Sequence, residues 1–434
     1  MKEVSGKELF KDQNWLKSAF PFLLLTALGF AVFNPVIHLP PVDFDDLILI
    51  SAVKNTTNPL SFLMGDWGFG NNAYRPLHSI SLWVGYQVFG VSSGPNQLLN
   101  IILHIGNILL LYALLARASV GWKTAFLIAS LSLFSMYTTS PAVWVSDRPT
   151  LLVAFFLLIL LHHLFGLKDK QIPNLIIVVA ISILGLMSKE SSLVIPLVAL
   201  FSVFRCGASK QKKFLSMGIL ASVLLGYGLF RVSVFGNQAA YYDESGYLFG
   251  TQYYDNFQML SSGQKLIAVI ENSFKNIIAV FLPLFDSLGK ISPLGTISNT
   301  AITIAATVSI TLASMRKKIS PLQVLAIVVI GVNAIIHYQV FRYRALYLSQ
   351  IAFSLLIGLS FMRTKTSSFR KTLVLVVSSL FLLWNIWVIG ENLSFAFIRK
   401  QKVIQDPNFV STMLATSNSM DQQVLEEVAR KYRH

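Results

Sequence analysis

Seven charged side chains have neighbours that could give them chemistry to do. Asp45 and Asp46 are adjacent carboxylates in Pro40-Pro41-Val42-Asp43-Phe44-Asp45-Asp46, ahead of the largely apolar run Leu47 to Val53. A carboxylate crowded by a like charge and partly desolvated holds its proton more tightly, which suits a general base acting on a hydroxyl. A short acid at that place could equally cap a helix. Two adjacent acids supply only part of the oxygen shell of a divalent cation, and no further ligands stand nearby, so no metal site is assigned. Arg75, in Tyr74-Arg75-Pro76-Leu77, is held extended by the proline after it and could present its guanidinium to a phosphate or lie along the membrane surface.

The other four fall later. Arg148 follows Asp147 in Ser146-Asp147-Arg148-Pro149, where Asp147 could cap the next helix. Lys189 and Glu190 sit at a corner between two apolar runs, as a pair or as the lining of a polar cavity. Arg344 lies in Phe341-Arg342-Tyr343-Arg344-Ala345-Leu346-Tyr347-Leu348, where an anion would account for two arginines. Arg231 is a weaker member of the set. Trp67 and Tyr74 read as aromatics of a membrane-interface belt, within an ordered Gly- and Asn-rich loop that contains Asp66.

The elements that must carry these residues are apolar helices. The chain has 434 residues, of which 54% are hydrophobic and 13% charged, against about 25% charged in soluble domains. With a mean hydropathy of +0.61, it reads as an all-α polytopic membrane protein rather than a soluble enzyme. The first apolar run, roughly 18–39, is too long for a cleaved leader. Further spans fall at about 96–116, 124–142, 149–167, 172–188, 191–205, 214–235, 299–315, 321–341, 345–362 and 372–390, about eleven in all. A basic N-terminus (1–17) precedes the membrane domain (18–390), and a short helical tail (391–434) follows it.

Two outer loops are long, about 40–95 and 236–298. The half-apolar stretch Leu266 to Phe285 in the second reads as an interfacial helix. The spans either side of Lys189-Glu190 share only about 34 residues, or about 25 Å each at ~1.5 Å per residue. That is short of the ~30 Å hydrocarbon core, so their corner should lie sunk below the outer surface.

The formal charge of +15 supports this topology rather than a nucleic-acid partner. Five basic clusters fall in alternate short loops, which makes the N-terminus cytoplasmic and the C-terminus external. The cytoplasmic side then carries nineteen of the thirty-five Lys and Arg against four acids, and the outer side carries sixteen of each sign. The carboxylates gather outside. Cys206 is the single cysteine, so no internal disulfide can form. The absence of retention or further targeting signals favours a bacterial or archaeal plasma membrane, although Asn55-Thr56-Thr57 and Asn392-Leu393-Ser394 match glycosylation acceptors.

Several motifs, in order, resemble the GT-C superfamily of membrane glycosyltransferases. The resemblance is to the protein O-mannosyltransferase-like members and the group bearing C-terminal tetratricopeptide repeats. The similar points are Asp45-Asp46, Tyr74 to Leu77, Asn100 to His104, Arg148, Ser188-Lys189-Glu190, Tyr227 to Arg231 and Arg344 to Leu348. This chain has Tyr343 where close members usually have Glu, and Ser140 where they often have His. Its tail is too short for a repeat array.

The resemblance implies an inverting transferase that takes a sugar from a polyprenyl-phosphate donor on the outer face. An acid of the first outer loop would be the catalytic base, and arginine and lysine would stabilise the departing phosphate. Asp45 and Asp46 are thus the expected catalytic residues. Arg75, Arg148, Lys189, Glu190 and Arg344 are expected to bind substrate. The acceptor would be a hydroxyl of a protein, lipid or glycan, membrane lipids the surroundings, and no cofactor a requirement, with a divalent cation optional. The rival readings are an outer-face glycan polymerase or ligase using a diphosphate-linked donor, and a lipid-linked sugar transporter or flippase.

Overall fold

The computed structural model describes residues 15–41, 43–167, 171–236, 246–248, 252–254, 259–281, 320–337, 343–361, 386, 389–390, 393, 397–416 and 420–432. Helix dominates. α1 (Trp15–Phe33), α4 (Ser93–Arg117), α7 (Arg148–Phe165) and α10 (Lys210–Phe235) are apolar helices at the expected first, second, fourth and seventh spans. Four helical stretches in these regions are long and apolar enough to cross a bilayer. The expected third span is a pair, α5 (Trp122–Leu133) and α6 (Met136–Val143), bent by 57°. α8 (Leu175–Leu186), α9 (Val194–Arg205), α12 (Pro321–Ile336) and α13 (Tyr347–Phe361) are shorter apolar helices. The span expected at 299–315 lies outside the described residues, as does most of 372–390.

The segment expected as the first long loop is itself helical, with α2 (Phe44–Lys54) packed on α3 (Pro76–Phe89). Between them, the Asp66 carboxylate accepts the backbone N–H groups of Gly68, Gly70 and Ala73 at 2.8, 2.8 and 3.0 Å. Gly68 has φ of +118°, and a Cβ there would stand 2.7 Å from the Cβ of Ala52 on α2. Only glycine takes that backbone conformation and lets the loop lie so close to the helix.

The segment expected as the second long loop contains a short antiparallel pair, Gly246–Leu248 with Gln252–Tyr254, and then α11 (Ser262–Phe281). α11 is amphipathic, with an unusual orientation. Leu266, Ile270 and Phe274 are exposed along one ridge, whereas Asn272, Lys275 and Asn276 are buried against the protein. A polar side facing inward and an apolar side facing outward suit a helix bathed in lipid. After α14 (397–405) come α15 (Phe409–Thr416) and α16 (Gln422–Tyr432), whose apolar residues pack onto α2.

The main core is apolar, but α4 carries a buried polar stripe at helical spacing: Asn96, Asn100, His104 and Asn107. Together these residues fasten α4 to its neighbours. Asn100 Nδ2 donates to the carbonyl oxygens of Pro141 and Trp144 at 3.2 and 2.7 Å. His104 Nε2 meets the Leu133 carbonyl at 3.0 Å and must donate to it. Its Nδ1 therefore accepts from the Tyr347 hydroxyl at 2.9 Å. Asn107 Nδ2 donates to the Leu151 carbonyl and to the Tyr347 oxygen. At the far side Asn333 Nδ2 donates to the Ala345 carbonyl and Ser349 Oγ, fixing the turn that leads into α13.

Tyr347 is thus a joint between α4 and α13. Tyr347→Phe leaves the acceptor on His104 and a donor on Asn107 each short of a partner inside the protein. The expected loss is about 1–2 kcal/mol, read as a lower thermal midpoint of the purified protein in lipid. An unchanged midpoint would mean that the hydroxyl contributes nothing to this joint.

Candidate functional site

Three consecutive residues at the start of α7 organise the site. Proline at its second position suits a helix start, and the turn before it is a short 3-10 segment, Val145–Asp147. Ser146 donates its backbone N–H to Asp46 Oδ1 at 2.9 Å. Asp147 Oδ1 accepts from Thr150 Oγ1 at 3.1 Å and lies 3.8 Å from Lys189 Nζ. Arg148 points the other way and is fully buried. Its Nε donates to Asn100 Oδ1 at 2.8 Å and its Nη1 to Ser81 Oγ at 2.6 Å. Its Nη2 donates to the backbone and side-chain oxygens of Asn96 at 3.0 and 3.1 Å. All three guanidinium nitrogens are engaged with protein, so Arg148 ties α7 to α3 and α4.

The expectation that Asp45 or Asp46 caps α2 is corrected. Asp43 holds the N-cap position, without a side-chain capping bond, and Asp45 and Asp46 lie in the first turn. The two acids differ. Asp46 is 1% exposed, with Oδ2 buried and without a hydrogen-bond partner, whereas Asp45 is half-buried. Burial, with help from Asp43 and Asp45, pushes the Asp46 carboxyl up to about 7, against the opposing pull of Lys400 and the Ser146 N–H. Asp147 likewise does not cap α7 through its side chain.

Lys189 and Glu190 do not pair with each other. Lys189 is buried, donates to Thr150 Oγ1 at 2.8 Å and faces Asp147. Glu190 turns to the arginines, with Oε2 at 3.4 Å from Arg75 Nη2 and Oε1 at 3.5 Å from Arg231 Nη1. Burial would raise its pKa, but Arg75, a hydrogen bond from its own backbone N–H, Arg231 and Lys189 together outweigh that and lower it below its ordinary value. The corner itself, Ser188 to Ser192, is largely buried between two twelve-residue helices.

Trp67 and Tyr74 are inside the protein rather than in an interfacial belt. The Arg75 guanidinium lies 3.9 Å over the Trp67 ring, a cation–π contact that holds it flat. Tyr74 packs edge-on to Phe230, and Arg231 Nη2 donates to the Asn72 carbonyl at 2.8 Å, so the end of α10 closes the cluster. His78 is buried between Arg75 and Arg148, with no hydrogen bond at either ring nitrogen. Burial first, and then the two arginines, lower its pKa well below the ordinary value, so it is neutral. Arg344 belongs to the turn Tyr343–Leu346 ahead of α13, and its side chain lies outside the described residues.

The site therefore joins Asp46 to Arg148 and Lys189 through the 146–148 turn, with Asp45 next to Asp46 on the first turn of α2, and it brings Arg75 together with Glu190 and Arg231. The sequence reading missed the Ser146 N–H and Thr150, which carry no motif signal of their own. It undervalued Arg231, whose place at the outer end of a span was the available clue.

Residues 74–234 match the family of dolichyl-phosphate-mannose-protein mannosyltransferases, which are of the GT-C type. The matched stretch contains Arg75, Arg148, Lys189, Glu190 and Arg231. This likeness supports reading the protein as a membrane glycosyltransferase of GT-C type. No curated protein and no solved structure matches the chain.

An acid whose native pKa is raised keeps a proton that the unfolded chain releases. The contribution of Asp46 to stability therefore falls as pH rises from about 4 to about 7 and stays low above that. Asp46→Asn keeps an acceptor for the Ser146 N–H and removes the charge. Its thermal midpoint relative to wild type should be more favourable at pH 8 than at pH 5. An equal difference at the two pH values would show that Asp46 is already ionised in the native protein at pH 5, without a raised pKa.

Proposed function

We propose that the chain is an inverting glycosyltransferase that moves a sugar from a polyprenyl-phosphate donor to a hydroxyl acceptor on the outer face of the membrane. The observation that carries this reading is the 146–148 turn. One strand of chain seats a first-turn carboxylate of α2 through a backbone N–H and positions a buried lysine through the next side chain. Acid and cation are thereby built into one rigid unit.

Asp45, the more exposed of the pair, takes the proton of the acceptor hydroxyl. The acceptor oxygen attacks the anomeric carbon, the bond from that carbon to the phosphate oxygen breaks, and the electron pair leaves on the polyprenyl phosphate. Lys189 and Arg75 stabilise the charge that grows there, and Arg344 is a further phosphate ligand in this reading. Glu190 holds Arg75 and Arg231 in place, and Arg148 supports the turn rather than the phosphate. Side chains supply the positive charge, and a divalent cation is not part of the proposed step.

The experiment is sugar transfer by the purified protein in lipid, with polyprenyl-phosphate and polyprenyl-diphosphate sugars offered side by side. Transfer is expected from the monophosphate donor. Asp45→Asn should lower the rate by about 10²–10⁴-fold, the usual range for a lost general base. Full activity of Asp45→Asn, Asp46→Asn and the double variant would remove the base assignment. Transfer from the diphosphate donor alone would favour the polymerase or ligase reading. Movement of labelled lipid across vesicles without any transfer would favour the flippase.

A further inference from the structure

The acidic turn of α2 includes a cation from the far end of the chain. Lys400, on α14, contacts Asp43 Oδ2 at the N-cap of α2, and the two residues are 357 positions apart. Lys400 is only 7% exposed. A lysine ammonium buried to that degree needs a carboxylate beside it, and here it finds the turn that also bears Asp45 and Asp46.

The same post-span segment grips the other end of α2. Lys54, the last residue of the helix, donates to Asp421 Oδ1 and to Gln423 Oε1, both at 2.8 Å. The Asp421 N–H donates to Ser51 Oγ at 3.0 Å. Between these ends Val424, Leu425 and Val428 of α16 pack with Leu47, Ile48 and Ile50 of α2, together with Ile404 and Phe409. The Tyr432 hydroxyl, at the end of α16, lies 3.1 Å from Ser93 Oγ at the start of α4. One side of α2 thus faces the 145–148 turn, and the other is covered by residues from 400–416 and 420–432.

We propose that the segment from Lys400 to Tyr432 is a clamp that positions the catalytic turn, with Lys400 as a positioning residue that holds Asp43 and sets the charge balance around Asp45 and Asp46. This rests on the transferase reading above. The charged groups that face Asp46 are Asp43 and Asp45 on its own helix, Arg148 from α7 and Lys400 from α14. Removing Lys400 or Asp43 breaks the same ion pair but changes the local charge in opposite senses. A purely structural role would move both variants the same way.

The test uses the full chain in lipid nanodiscs and reads two quantities. The first is the pH at half-titration of the buried carboxylic acid, followed by its infrared C=O band and assigned by its loss in Asp46→Asn. Lys400→Met should raise that pH by about one unit, Asp43→Asn should lower it, and Lys400→Arg should leave it near wild type. The second is the pH profile of transfer. Lys400→Met should lower kcat about tenfold and shift the alkaline-rising limb upward, with KM for the donor unchanged and Lys400→Arg restoring activity. Equal midpoints in wild type, Lys400→Met and Asp43→Asn would overturn the proposal, as would shifts of the same sign in both variants. If the wild type transfers no sugar, the transferase reading fails, and the infrared titration still decides whether Lys400 sets the charge of the turn.

Discussion

A guanidinium with no exposure to solvent is the constraint on which the rest of the structure depends. Taking such an ion out of water costs several kcal/mol even after relaxation, so every donor of Arg148 needs an acceptor close by. Asn96, Asn100 and Ser81 supply them. That requirement explains the upper part of the polar stripe on α4, which would be out of place on a helix whose task was only to cross a bilayer. Once Arg148 is fixed, the two residues before it have little freedom. Ser146 then directs its N–H at Asp46, and Asp147 faces Lys189. The geometry of the proposed catalytic turn follows from a structural cation whose guanidinium is engaged wholly with protein.

The charges around this turn form two groups with different characters. Asp43, Asp45, Asp46 and Lys400 surround the start of α2, where the helix N-terminus itself favours anions. Arg75, Arg231 and Glu190 form the other group, in which one carboxylate serves two guanidiniums and a cation excess remains. A donor whose leaving group is a phosphate needs that excess on one side and a proton acceptor on the other. Glu190 tempers the excess, so that two arginines can be held near each other without a substrate.

Much of this was legible in the sequence wherever the signal was local. Adjacent acids, an arginine before a proline and a charged corner between short apolar runs each have physical consequences within a few residues, and the apolar runs at 18–39, 96–116, 149–167 and 214–235 fall on α1, α4, α7 and α10. Partners were harder to read. Lys189 and Glu190 look like a pair in sequence because they are neighbours, but successive residues point apart, and each finds its counter-charge elsewhere. Trp67 and Tyr74 read as interfacial because composition does not separate an aromatic at the surface from one buried behind an arginine. Lys400 carried no signal, since nothing in its neighbourhood refers to a turn 357 residues earlier.

The orientation of α11 bears on how the protein is assembled. In water, a helix with Leu266, Ile270 and Phe274 along its outer ridge would turn that ridge inward and expose Asn272, Lys275 and Asn276. The observed arrangement is the reverse, and it suits a ridge bathed by hydrocarbon. α11 in this orientation fits docking within a lipid-facing surface better than docking from water. The bilayer around that ridge then becomes part of what specifies the structure on that side of the site.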